Sequence, residues 1–370
     1  MKNIIFASLI TFLFIGCNKE VVTNGRFLSS EVFQMDRMEN VFFTHDGGFI
    51  ISGVSNSKTT IIKTDSQSDI LWTQNSFDWG TNSSSGNYWG ASFYSVNVVK
   101  IFQRNDGGYV CICSVEEGGD VVYSSTLIVQ LNQRGEQIRK VEFTDIDAYN
   151  ALETNDGGYL IFGNKLLKLD YNYNQIWQKN IFDFIYFQAQ IVTIEDGGFA
   201  TTGSYGDHIF LNKYDSRGNE FSSSTYKHDE YSFDESGSDL IQLDDKGFLI
   251  VGRSRNSDSA YDFDFQIIRT NFNGDTMWTK RFGYPTYDRL DRIISCNRKE
   301  CIIQGTIGYP GENPKSYLLK INLAGQILDS CRTDNGLNLV CSPLNQYFRI
   351  QNTDKTHLSF SKVAVDKLFN

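Results

Sequence analysis

Asp106-Gly107-Gly108-Tyr109, a turn set between two apolar runs, decides how this chain is read. It recurs as Asp46-Gly47-Gly48-Phe49, Asp156-Gly157-Gly158-Tyr159 and Asp196-Gly197-Gly198-Phe199, then degrades to Asp245-Lys246-Gly247-Phe248 and to Lys299-Glu300-Cys301. The second Gly or its equivalent falls at 48, 108, 158, 198, 247 and 300, so the spacing stays between 40 and 60 residues. A phrase repeated at such a period marks a repeat architecture.

The fifth repeat shows the content of one unit. Asp239 to Leu243 is a short apolar run, and Phe248 to Gly252 follows it across the turn. Two such runs joined by an Asp-Gly turn form a hairpin, because Gly accepts the positive φ that hairpin turns require. A polar stretch leads to a third run, Phe265 to Arg269, and a second turn at Asn271-Phe272-Asn273-Gly274 leads to a fourth, Met277 to Phe282. Third runs recur at Ile61 to Asp65, Leu127 to Asn132, Leu166 to Asp170, Phe210 to Asp215 and Leu318 to Asn322. Trp72, Trp177 and Trp278 each lie seven residues after the Asp or Asn that ends the third run, and this shared register assigns them to packing between repeats.

Four short strands per unit, with no helix between them, give an all-β fold: a β-propeller of four-stranded blades. Six phrases are visible, and the chain ends hold more of the pattern. Asn338 to Ser342, Tyr347 to Gln351 and Leu358 to Val363 match first, second and third strands, and Gly25 to Phe33 matches a fourth. Seven blades are therefore favoured over six, with the N-terminal strand closing the last blade and leaving no open edge.

The repeats resemble the Asp-Gly-Gly-Tyr/Phe repeats of exported bacterial β-propeller proteins. The element Asn271 to Trp278 is similar to the tryptophan-docking element of quinoprotein-like propellers, which is structural and implies no quinone cofactor. Upstream, Met1-Lys2-Asn3 and the apolar run from Ile4 to Ile15 form a charged segment and a hydrophobic segment too short to span a bilayer. The run ends at Phe14-Ile15-Gly16-Cys17, which resembles the lipobox of bacterial lipoproteins, with Phe14 in place of the usual Leu. That resemblance implies a signal peptide over residues 1–16, a lipid on Cys17, a tether over 17–24 and one propeller over 25–370. An ordinary signal peptide with an incidental Cys is the alternative. The resemblance also implies a bacterial outer membrane location, facing the periplasm or the cell surface.

The formal net charge of −10, with Lys and Arg scattered, argues against a nucleic-acid partner. Export would permit disulfides, and Cys296 with Cys301 or Cys331 with Cys341 could each close a short loop. No Cys or His spacing suggests a metal site. Asp258, Asp262 and Asp264 lack the Gly and closing Glu of a calcium loop and read as a solvated acidic segment.

The two turns within each repeat are nearly constant in length, whereas the connections after the second and fourth strands vary. Both variable connections emerge on one face of the ring, where binding residues are usually placed. They carry Trp79, Tyr88 and Trp89, Tyr186, His228, Arg253, Arg255 and Tyr261, Tyr284, Tyr287 and Arg289, and Tyr309. Aromatic rings beside Arg and Asp suit stacking on a sugar or gripping a protein. Plugging the end of the propeller is the structural alternative. No nucleophile, phosphate-binding or metalloprotease motif is present, and the four His share no site. The expected function is therefore a monomeric, lipid-anchored, non-catalytic binding module for a glycan or protein, without a cofactor. An envelope scaffold or, third, a propeller enzyme acting on glycans are the alternatives.

Overall fold

The computed structural model describes residues 35–333 except 36, 57, 67–68, 76–82, 86–91, 119–121, 182–184, 228–233, 256–261 and 309–314. It also describes the strands Phe12–Ile15, Lys19–Val22, Gly25–Phe27, Asn338–Cys341, Tyr347–Asp354 and His357–Val363. The fold is an all-β propeller of four-stranded antiparallel blades, each a meander in chain order. Blades one to six occupy residues 37–74, 92–144, 148–180, 185–226, 236–282 and 288–333. Blade two carries an additional short strand, Ser83–Ser85, on its first strand.

Side chains are described for six blades, where the sequence favours seven. The end strands form one further sheet, in the order Asn338–Cys341, Tyr347–Asp354, His357–Val363, Gly25–Phe27. Most side chains of that sheet lie outside the described residues, so no core can be assigned to it as it can to the six.

In every Asp-Gly-Gly turn the first Gly, not the second, has the positive φ: Gly47, Gly107, Gly157 and Gly197 lie between 74° and 80°. Gly47 N donates to Thr44 O and Thr44 N to Gly48 O, which is a type I turn closed by a left-handed residue. Lys246 fills that place in the fifth blade at φ 66°. The second Gly is needed for another reason, since a Cβ on Gly48 would stand 2.0 Å from the carbonyl oxygen of Thr64 on the third strand.

The Asp of the phrase binds as well as turns. Asp46 Oδ1 accepts from Gly48 N at 3.0 Å, and Lys63, buried on the third strand, reaches its Oδ2 at 2.8 Å. Lys168 meets Asp156 at 2.9 Å, Lys320 meets Glu300 at 3.0 Å, and Arg269 meets Asp245. Burial works against the charge of Asp156, yet hydrogen bonds from Thr154, Lys168 and Gly158 N hold its carboxyl down to about 2. A cation two residues before the third-strand Asp or Asn is thus a second repeated element, visible as Lys63-Thr64-Asp65 and Lys168-Leu169-Asp170.

Neighbouring blades meet through the tryptophans as expected. Trp72 Nε1 donates to Gln133 O at 3.0 Å, with the ring over Gly135 of the next blade, and Trp278 Nε1 donates to Leu323 O at 3.2 Å, with the ring over Gly325. Trp177 lies over Gly218 in the same way. Odd blades therefore dock by Trp on Gly. Even blades do not: Arg139 covers the ring of Tyr173 at 5.0 Å, and Tyr226 Oη donates to Gly274 O at 2.7 Å.

First strands of successive blades lie side by side at the centre of the ring. Each of the six has a ladder irregularity immediately before one polar residue: Asn40, Lys100, Asn150, Gln190, Asp239 and Arg292. A bulge re-aims the side chain that follows it, and here these groups link one blade to the next. Asn40 Nδ2 donates to Val98 O at 2.7 Å, Asn150 Nδ2 donates to Gln190, and Ile293 N donates to Asp239 Oδ2 at 2.7 Å. Burial pushes the Asp239 carboxyl up to about 6 and pushes Lys100 and Arg292 down, against the attraction between them.

Candidate functional site

On the face of the variable connections, the described candidates gather where blade five meets blade six. Arg253 ends the regular part of a second strand, and Phe263 opens the third strand of the same blade. The connection to blade six folds back so that Phe263 N donates to Thr286 O at 3.0 Å and Tyr287 bridges Phe263. The two rings come within 4.8 Å, and the Arg253 guanidinium covers both, 4.6 Å from Phe263 and 5.0 Å from Tyr287. Such contacts are favourable because the ring face is electron-rich.

Arg253 is only partly neutralised. Its Nη2 lies 3.4 Å from Asp234, whose own side chain is half exposed, while its Nε is buried and makes no hydrogen bond among the described residues. Burial lowers its affinity for a proton, Asp234 opposes that, and nearby Arg289 adds to it. Asp262 Oδ1 is likewise buried without a hydrogen-bond partner among the described residues. A buried donor and acceptor left unmade cost free energy that a ligand could recover, on the order of 1–3 kcal/mol each.

A group of carboxylates holds the loop behind this site. Asp288 is fully buried and accepts from Tyr284 N at 2.7 Å, and Thr286 Oγ1 donates to its other oxygen at 2.5 Å. Burial pushes its carboxyl up to about 6, the hydrogen bonds oppose this, and Asp264 and Asp262 reinforce it. Asp264 is bound by Arg281 Nε at 3.0 Å, both side chains being nearly buried. The acidic segment read as solvated is therefore corrected: Asp264 is paired, Asp262 is half-buried, and Asp258 lies outside the described residues. Gly283 is needed between these groups, since a Cβ there would stand 2.3 Å from Asp264 Oδ1 and 2.9 Å from Asp288 Oδ2.

Tyr284 packs under Arg332, 4.5 Å from its guanidinium, and edge-on to Tyr317. Arg289 pairs with Asp291, which also accepts from Thr306 Oγ1. Arg255 is half-buried at the end of its strand. Tyr186 lies on the first strand of blade four, paired with Ser204, and its side chain lies outside the description. Trp79, Tyr88, Trp89, His228, Tyr261 and Tyr309 lie outside the described residues, as does Cys17. Arg253 and Tyr287 are thus brought into contact with Arg289 nearby, whereas the Tyr284 ring turns to Arg332 and Tyr317. Sequence reasoning missed Asp234, Phe263, Arg281 and Asp288; the repeated alignment of blades would have placed Asp288 opposite Ile307, where a buried carboxylate breaks an apolar pattern.

Cys296 and Cys301 face each other across the sixth turn and are joined as a disulfide. Cys331 is buried and Cys341 half-buried, both as thiols, as are the buried Cys111 and Cys113. Among the described residues no group of His, Cys, Asp and Glu could hold a metal ion.

No protein-family model and no curated protein matches the sequence. Solved structures match in fold. The chain is similar to BBS1N, in a crystal of its complex with ARL6DN soaked with mercury, with a TM-score of 0.51 and 10% identity over 97% of this chain and 98% of that one. The Dos1 propeller matches at a TM-score of 0.42 and 10% identity over 69% of each chain. A mutant NanB sialidase from Streptococcus pneumoniae matches at 0.44 and 10% identity, over 96% of this chain and 71% of that one. At such identity the likeness is one of fold: the chain is a β-propeller.

Proposed function

We propose that this propeller is a non-catalytic binding module whose variable-connection face grips a polar partner, a protein or a glycan, at the junction of blades five and six. The observation that carries this is Arg253, packed against two rings with a buried Nε that has no hydrogen-bond partner among the described residues. Arg anchored on aromatic rings is typical of residues that dominate binding energy. Asp288, the strongest candidate for acid–base work, is fully buried and used by its own loop, which favours binding over catalysis. Arg253→Ala and Tyr284→Ala should each abolish at least one interaction seen for the native protein in glycan-array and pull-down screens, with folding intact. Screens in which both variants keep every interaction would remove the proposal.

The proposal extends to the chain ends. Residues 1–16 act as an export signal, Cys17 carries a lipid, and the propeller acts as a monomer on the outer membrane. The sheet that joins Gly25–Phe27 to His357–Val363 acts as a seventh blade and closes the ring. Its first two strands support this, because Leu339 on the first is buried and its N donates to Gln304 Oε1 of blade six at 2.9 Å, while Tyr347 Oη on the second meets Ser295 Oγ at 2.7 Å. Removing residues 21–33 should lower the melting temperature by about 3 °C, the loss of roughly 2 kcal/mol in a domain of this size. An unchanged melting temperature would refute the closure.

A further inference from the structure

The opposite face, that of the Asp-Gly-Gly turns, has one interface unlike its counterparts. Between blades three and four lies a cavity of about 240 Å³, lined by both turn phrases and by Trp177. At three other described interfaces the corresponding two places carry longer side chains. In blade two these are Gln103, which accepts from His45 N at 2.6 Å, and Gln133, which donates to Asp106 O and packs over Gly107. Blade three has Glu153, which is exposed, and Tyr171, stacked under Arg104 at 4.7 Å, at these places. Blade five uses Gln242, which accepts from Glu195 N at 2.8 Å, and Phe272, under Lys213 at 4.5 Å. Blade four has Thr193 and Ser216 at the same two places, and both line the cavity.

A second observation concerns the indole. Trp72 and Trp278 donate to the carbonyl of the residue at that place, Gln133 and Leu323. The counterpart for Trp177 is the Ser216 carbonyl, and among the described residues Trp177 Nε1 makes no such bond, although both residues border the cavity. Here the usual plug is absent and the donor that would have been tied down is left available.

The lining selects by chemistry. Its floor is apolar, made by Leu152, Leu160, Ile194 and Phe199, while its rim offers the Trp177 N–H, the Asn155 amide and the hydroxyls of Thr193 and Ser216. The only charged groups, Lys168 and Asp156, are spent on each other at 2.9 Å. A ligand for this cavity is therefore uncharged, small, rich in hydroxyls at its edge and apolar on one face, and a pyranose ring has that character. We infer that the cavity between blades three and four is a binding subsite for a single neutral sugar ring, separate from the Arg253 site and on the other face.

The test is saturation-transfer NMR on the full-length protein with a panel of methyl glycosides of neutral hexoses, deoxyhexoses and N-acetylhexosamines. At least one should receive saturation from the native protein and from Arg253→Ala. The transfer should be lost in Thr193→Gln/Ser216→Gln, which restores the plug of blade two, with the melting temperature unchanged. Asn155→Ala, an exposed change that removes a rim amide, should weaken it without affecting folding. The inference is overturned if no glycoside receives saturation, if transfer persists in the plugged variant, or if a matched panel of N-acetyl amino-acid amides is bound and the glycosides are not. Because Arg253→Ala leaves this cavity intact, its loss of other partners would not bear on the result.

Discussion

Gly163→Val lowers the melting temperature by about 6 °C, a cost of about 4 kcal/mol, near the upper end of single substitutions. Gly163 ends the second strand of blade three, opposite the irregular part of the first, and a Cβ there would lie 1.8 Å from Asp147 O. Gly252 meets Ser236 O at 1.9 Å at the same place in blade five. The obstacle is backbone on both sides, so no rotamer change relieves it, and the first strand must give up the geometry that aims Asn150. Calorimetry measures the effect, and Gly197→Asn, where a Cβ meets nothing within 4 Å and Asn tolerates the left-handed φ of 80°, is the control. A shift for Gly163→Val no larger than that for the control would contradict the account.

Trp278→Ala costs about 3 kcal/mol, as large-to-small changes at packed aromatic sites do. Its ring packs on Gly325 and on the core shared by blades five and six, and its N–H holds Leu323 O. Trp177→Ala should cost less, since the ring docks alike on Gly218 but the N–H makes no corresponding bond and the ring borders a void. Urea denaturation of both variants orders them, and a Trp177→Ala loss equal to or larger than that of Trp278→Ala would show that the cavity does not loosen its interface.

The blades were legible because their signals are local. An Asp-Gly-Gly turn and a Trp seven residues after the Asp or Asn that ends the third run each recur in a short, fixed register along the chain. The polar groups at the centre were hidden for the opposite reason. Asn40, Lys100, Asn150, Gln190, Asp239 and Arg292 sit eight residues before the second Gly or its equivalent, but the irregular ladder before them breaks the alternation by which a strand face is read. The Arg253 site was half legible. Arg253, Tyr284 and Tyr287 stand out in variable connections, whereas Asp234, Phe263 and Asp288 join them only because three separate connections converge. The cavity was readable in principle, as Thr193 and Ser216 in two columns that carry larger side chains in blades two, three and five, but only once those columns were known to face each other.

The alternation of docking chemistry has a consequence for assembly. A chain of near-identical units can associate out of order, which is the characteristic failure of repeat proteins. Here a blade ending in Trp needs a bare Gly on its neighbour, while blade three presents Tyr173 at that place, at φ 63° and already covered by Arg139. If blade one skipped its proper neighbour and met blade three, the Trp72 ring would collide with the Tyr173 ring. The first junction thus carries an address, and a ring that looks repetitive in outline has at least one joint that rejects an off-by-one partner.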